Sequence, residues 1–168
     1  MPEIEIQMRK RKKVVAKRWR MDETYFKVKG VWRYLYRAVD RDGHTIDFLL
    51  TKRRQRMSAQ SFLIKAIENN GTPELINIDK SGSNKSAIKI YIKRSFTNIE
   101  IRQCKYLNNI VEQDHRFIKW RIQQGLGFKD FESARRTITG IEIVHMIKKE
   151  QLNTQERSMF KSFYSLAA

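Results

Sequence analysis

From Arg18 onward, apolar and polar positions alternate with a period near two, the pattern of half-buried strands. Arg18–Val28 reads as a first strand, and the Lys29-Gly30 that follows is a two-residue hairpin signal. Val31–Val39, rich in Trp, Tyr, Leu and Val, reads as a second strand ending at the turn Asp40-Arg41-Asp42-Gly43. His44–Leu50 reads as a third, with Ile46, Phe48 and Leu50 on one face and Thr45 and Asp47 on the other. Two tight turns make these three an antiparallel meander.

The period then changes. Ser58 is the expected cap of a helix whose buried side is Phe62, Ile64, Ala66 and Ile67, and which ends at Asn69-Asn70-Gly71. Leu75–Ile78 is a short apolar strand stopping at Asp79; reached through a helix, it is expected to run parallel to a neighbour in the sheet. Ser81-Gly82-Ser83-Asn84 reads as a loop and cap before a helix over Lys85–Arg94. A fifth strand over Asn98–Gln103 and helices over Asn109–Gln123 and Asp130–Lys149 complete one α/β domain, a mixed sheet flanked by helices.

Charge narrows the function. The 168 residues carry 35 Lys+Arg against 18 Asp+Glu, a formal charge of +17 that repels itself unless a polyanion neutralises it. Nucleic acid is the first partner this implies and an anionic membrane surface the second. With 40% hydrophobic and 11% aromatic residues, the chain is too rich in core-formers to be a disordered basic tail. Arg9-Lys10-Arg11-Lys12-Lys13 has no signal-peptide apolar core behind it, and reads equally as a solvated arm or a DNA contact. No run of about eighteen apolar residues spans a membrane. A single cysteine, Cys104, forms no internal disulfide or cysteine zinc cage and fits a reducing cytoplasm.

Three carboxylates sit where a carboxylate is awkward or useful. Asp22 interrupts a strand, where Asp is disfavoured. Asp79 stands at the carboxyl end of an apolar strand, where open α/β sheets place ligand sites. Glu112 falls near the start of a helix. Singly, these are an ion-pair partner, a loop cap and a helix-dipole residue. Together, on adjacent strands and a packed helix, they would repel one another unless divalent cations lay between them. Hard oxygen donors suit Mg²⁺ or Mn²⁺, and a two-metal pair serves phosphodiester cleavage and transfer. On the helix, Glu112, Arg116 and Lys119 fall within about 60° of one another, with Val111, Ile118 and Ile122 on a separate apolar stripe. That face is either an ordinary ion pair or a carboxylate beside two phosphate-holding cations.

At these residues the chain resembles the DDE transposases of bacterial insertion sequences, within the retroviral-integrase and RNase H-like superfamily. Trp19-Arg20-Met21-Asp22-Glu23-Thr24-Tyr25, Lys27-Val28-Lys29-Gly30 and Tyr34-Leu35-Tyr36-Arg37-Ala38-Val39-Asp40 resemble the first-Asp block. Asp79-Lys80 resembles the second, and Lys105–Arg116 continuing through Ile118-Lys119 resembles the Glu block; Leu126-Gly127-Phe128 and Gly140-Ile141-Glu142 fit the family's tail. The resemblance covers Trp19–Gln151. It implies an RNase H-like fold, a catalytic and metal-binding triad of Asp22, Asp79 and Glu112, and two Mg²⁺ or Mn²⁺ ions. It implies DNA contacts at Arg116 and Lys119, with Asn109 orienting Glu112; Lys80, Arg53 and Arg54 add basic surface. The implied reaction is nicking at the element's terminal inverted repeats, then attack of the freed 3′-hydroxyl on target DNA. The expected protein is a cytoplasmic, nucleoid-associated homo-oligomer with no membrane partner and no organic cofactor.

Departures from the family pattern are the Ser81–Asn84 loop, a slightly short spacing from Asp79 to Glu112, and no counterpart of an N-terminal helix-turn-helix. The expected organisation is a basic arm over 1–18, the catalytic domain over 19–151 and a divergent tail over 152–168. A truncated, inactive DNA-binding remnant and an RNase H-like nuclease are the rival readings. His44, His115 and His145 are too scattered for a zinc site, and His115 reads as structural. Trp19 and Trp32 read as packing residues, while Trp120 lies off the apolar stripe. The final helix, with Phe131, Ala134, Ile138 and Ile141, reads as core first and dimer interface second.

Overall fold

Strands rich in β-branched and aromatic side chains build the meander: β1 (Arg18–Val28), β2 (Val31–Asp40) and β3 (Thr45–Thr51). At the first turn both Lys29 (φ 49°) and Gly30 (φ 76°) are left-handed, the geometry that matches the twist of the strands it joins. The computed structural model describes residues 2–80, 82–123, 127–154, 156 and 158–167. Ser81 and Leu126, which the sequence places in a loop and in a family block, lie outside them, as do parts of the expected tail.

β4 (Leu75–Ile78) runs parallel to β1 as expected, and β5 (Glu100–Gln103) runs parallel to β4. The sheet order is β3-β2-β1-β4-β5, antiparallel on one side of β1 and parallel on the other. α2 (Arg56–Asn70) and α3 (Gly82–Ser95) cover one face over a core that includes Trp19, Met21, Phe62, Ile76 and Ile88. α1 (Pro2–Arg11), α4 (Asn109–Gln123), α5 (Phe131–Lys148) and α6 (Met159–Ala167) supply the other, where Met8, Ile118, Ile143 and Leu166 meet Phe26 and Leu35. α4 has the predicted bounds, and Asp130 caps α5 by accepting the Ser133 N–H at 2.8 Å.

Four local expectations are corrected. Gly82-Ser83-Asn84, read as a loop and cap, form the opening turn of α3. Ala38 pairs with Asp47 and Val39 with Thr45, so Ile46 is an extra residue in a β-bulge. Ile46 therefore joins Trp19, Met21 and Ala38, while Phe48 and Leu50 face the opposite core. α2 starts before Ser58, whose hydroxyl donates to the Arg53 carbonyl at 2.8 Å instead of capping the helix. Its buried side uses Leu63, with Ile64 only half-buried; its end is as expected, Gly71 at φ 80° donating to the Ile67 carbonyl.

The basic segment before β1 is largely helical and turned inward, which alternation alone did not reveal. Arg9 donates to Asp47 at 3.0 Å, and Lys12 donates to Asn70 Oδ1 at 2.7 Å and to the Ile46 carbonyl. Burial would raise the Asp47 carboxyl, but Lys65 and Arg9 outweigh it and hold it below the usual carboxylate range. Lys13 N–H bonds the Gln151 carbonyl and Asn153 N–H the Arg11 carbonyl, so the two ends of the described chain lie side by side. Arg9 and Lys12 thus face a buried carboxylate rather than solvent.

Candidate functional site

Asp22 lies on the β1 face that α4 covers; its neighbour Glu23 points to the opposite face, as successive strand residues must. The parallel ladder ends at Arg20–Asn77, two residues before Asp22 on β1 and Asp79 just past β4, so both carboxylates stand beyond the same end of that ladder. Glu112 enters from the first turn of α4. Burial is the main cause that pushes the Asp22 carboxyl up to about 7; the charges of Asp79, Glu23 and Glu112 add to it, against a backbone hydrogen bond at Glu23. The fold thus brings together three carboxylates from three sequence blocks.

Their oxygens are not gathered within 4.8 Å of one another. Among the described residues, the His, Cys, Asp and Glu side chains that do meet so closely in a group of three are Asp40, Asp42 and His44. There Asp40 accepts the N–H groups of Asp42 (3.0 Å), His44 (2.9 Å) and Ala16 (3.1 Å), which is how an Asp secures a turn.

Two asparagines hold the acidic site together. Asn77, buried in β4, donates to Asn108 Oδ1 at 2.7 Å and to the Cys104 carbonyl at 3.0 Å. Asn108, in the 3-10 turn Lys105–Asn108 before α4, donates to the Met21 carbonyl at 3.4 Å. The pair ties β4, β1 and the start of α4 beside Asp79, Asp22 and Glu112 respectively. Sequence reasoning missed both; the signal was a polar residue inside the apolar run Leu75-Ile76-Asn77-Ile78. Asn109, expected to orient Glu112, opens α4 with an exposed side chain.

His115, one turn along α4 from Glu112, is buried with Nδ1 at 3.7 Å from Asp22 Oδ2. Burial first, then Arg37 and Lys119, pull its pKa down to about 3, so the ring is neutral and the pair is a contact rather than an ion pair. On the other face, Glu23 accepts from Asn84 Nδ2 at 2.8 Å and pairs with Arg54. Arg54 is therefore partly engaged inside the fold, whereas Arg53, Lys80 and Arg116 are exposed. Lys119 is half-buried, its Nζ 5.2 Å from the centre of the Tyr25 ring. Trp19 is buried as expected, but Trp32, read as a packing residue, is 47% exposed because neither helical layer covers its end of the hairpin.

A mixed five-stranded sheet with carboxylates on its central strand, at the end of the adjoining parallel strand and on a packed helix defines the RNase H-like integrase-core class. The chain superposes on the magnesium-bound catalytic core of HTLV-2 integrase with a TM-score of 0.60, covering 89% of this chain and 97% of that one at 16% identity. That likeness establishes the fold. A family model described as a DDE domain matches residues 16–151, and the chain belongs to this DDE-domain family of IS240-type transposases. It is 41% identical over 148 residues to the Staphylococcus aureus transposase for the insertion sequence-like element IS431mec, and equally to that for IS257 in transposon Tn4003. These matches take in 87% of this chain, which spans 64% of the length of those relatives.

Proposed function

We propose that this chain catalyses metal-dependent DNA nicking and 3′-hydroxyl strand transfer, as the catalytic domain of an insertion-sequence transposase. The observation that carries this reading is that Asp79 and Glu112, from two other sequence blocks, lie near enough to Asp22 for their charges to add to the burial that raises its carboxyl. The donor set is all hard oxygen, with a buried carboxylate near two others, which fits Mg²⁺ or Mn²⁺, in a pair. Such ions, when bound, neutralise that charge and supply Lewis acidity at a phosphodiester oxygen.

The protein's own residues do the rest. Asn77 and Asn108 hold the elements that carry the triad. Neutral His115 packs against Asp22 without adding a competing cation. Lys119, Arg116, Lys80 and Arg53 present positive charge to the backbone phosphates around the site, and Arg54 does so while anchored to Glu23. Asn109, exposed at the start of α4, is placed to contact the DNA strand in this reading. In the nicking step a P–O bond forms to water as the DNA 3′-oxygen leaves. In the transfer step that 3′-hydroxyl attacks a target phosphodiester, whose own 3′-oxygen leaves. DNA bearing terminal inverted repeats, target DNA and a second copy of the chain are the partners, in the bacterial cytoplasm and at the nucleoid; among the described residues no helix is long and apolar enough to cross a membrane.

The test uses oligonucleotides carrying the element's ends with a labelled 3′-hydroxyl strand, incubated with the chain and Mg²⁺ or Mn²⁺. The expected result is metal-dependent nicking and joined products, both lost with Asp79→Ala. Nicking without joining would make the chain a nuclease, and salt-sensitive binding without any cleavage would leave only a DNA-binding module. Intact activity in Asp79→Ala would overturn the assignment of the triad.

A further inference from the structure

The hairpin end of β1 and β2 carries an aromatic pair that neither core covers. Tyr25 is 54% and Trp32 47% exposed, yet the rings are ordered against each other edge-to-face, their centroids 5.1 Å apart at 83°. Each ring has a cation over it: Lys27 Nζ lies 5.0 Å from the Trp32 ring and Lys119 Nζ 5.2 Å from Tyr25. The β4 ladder stops at Arg20 and Phe128 bridges β1 again only at Val28, and past the stretch between them Lys119 reaches from α4 to the Tyr25 ring. Tyr25 is three residues along β1 from Asp22, about 10 Å. Lys119 shares its helix face with Glu112.

From this arrangement we infer that Tyr25 and Trp32 form a stacking platform for an unpaired nucleobase of a DNA strand held at the acidic site. The inference rests on the DNA reading above. Inside a duplex each base stacks on its neighbours, so a base freed from the helix is the one with a π-face to give to exposed rings, and stacking tolerates any base. Lys27 and Lys119 flank the rings where the phosphates on either side of such a base would run. Charge selects this occupant: a second copy of a chain carrying +17 would meet two lysines with more positive charge, whereas a DNA strand is drawn to them. Core packing, the ordinary use of such rings, is what Trp19 and Tyr36 do at 2% and 0% exposure.

The experiment compares three DNAs by fluorescence anisotropy with the whole chain in EDTA, where no cleavage occurs. These are a blunt duplex, the duplex with a three-nucleotide single-stranded tail, and the same duplex with an abasic tail of equal charge. The base-bearing tail is expected to bind about tenfold more tightly than the abasic one. That preference should vanish in Tyr25→Ala/Trp32→Ala and persist in Tyr25→Phe/Trp32→Phe, with blunt-duplex binding unchanged in both. In a Trp120→Phe background, the base-bearing tail should quench the remaining exposed tryptophan. Equal binding of the two tails by the unaltered chain, a measurement needing no variant, overturns the inference. So does a preference that survives the double alanine change, or conversion of a dimer to monomer by that change, which would assign the rings to a second copy. A base preference without cleavage in Mg²⁺ retains the platform and removes the catalytic reading; cleavage without the preference does the reverse.

Discussion

The raised carboxyl of Asp22 makes the site sensitive to pH. Raised to about 7 from an ordinary 3.8, it binds a proton in the folded protein at pH values where the unfolded chain has lost it. Between those values stability therefore falls as pH rises, and the penalty is complete above about 7. Asp22→Asn should accordingly stabilise the metal-free protein at pH 8, by on the order of 1–4 kcal/mol, and make little difference below pH 4. Urea denaturation at the two pH values checks this; equal effects at both would mean that Asp22 is not raised. In the proposed role of Asp22 as a metal ligand, which must be deprotonated to bind, Mg²⁺ affinity should climb towards pH 7 with proton release visible in calorimetry. Asp22 was legible as unusual because Asp interrupts a strand pattern. Its neighbour Glu23 carried as strong a local signal, and only the pleat separates their roles by sending them to opposite faces.

At the level of elements, the site is a matter of how β1, β4 and α4 are joined. Asn77→Leu would strand Asn108 Oδ1 and the Cys104 carbonyl without their donor, and should cost about 1–3 kcal/mol in urea denaturation. It should also lower cleavage more than that loss of stability explains, because α4 and Glu112 lose their reference to β4. Asn109→Ala, at an exposed position, should leave stability within about 0.5 kcal/mol. The contrast separates Asn77, the buried asparagine that joins elements, from Asn109, the exposed one that the sequence singled out. Elements with uninterrupted period, such as β1 and α4, could be read to their ends. The bulge at Ile46 and the uncapped start of α2 could not, since both answer to a neighbour in space: β2 for the first, the turn carrying Arg53 for the second.

Across the whole molecule, α4 and α5 are fastened to their face of the sheet by buried charge as well as by apolar contact. Arg37, fully buried on β2, donates to Glu142 of α5 at 2.6 and 3.0 Å and to Asp114 of α4 at 3.4 Å. Burial alone would raise Asp114, but a hydrogen bond with His145 and the charges of Arg37 and Lys149 outweigh it and hold the carboxyl well below its usual range. Glu142→Ala leaves Arg37 buried with its main partner gone and should cost about 3–5 kcal/mol, read as a lowered urea midpoint. The surplus of +17 acts on the outside: DNA binding should weaken steeply with salt, by about a thousandfold between roughly 50 and 200 mM if six phosphates are contacted. A binding constant indifferent to salt would remove the electrostatic reading. The sequence by itself determined the strand meander, the parallel strand ending at Asp79, the helix carrying Glu112 and the basic excess, because periodicity, turn chemistry and composition are local properties. Only the tertiary structure decided which charges meet. It turned Arg9 and Lys12 inward to serve Asp47, locked Arg37 to Glu142, set two asparagines between the acidic blocks and left Tyr25 and Trp32 uncovered. Those outcomes depend on strand register and on which helix crosses which face, and such long-range geometry leaves no periodic trace along the chain.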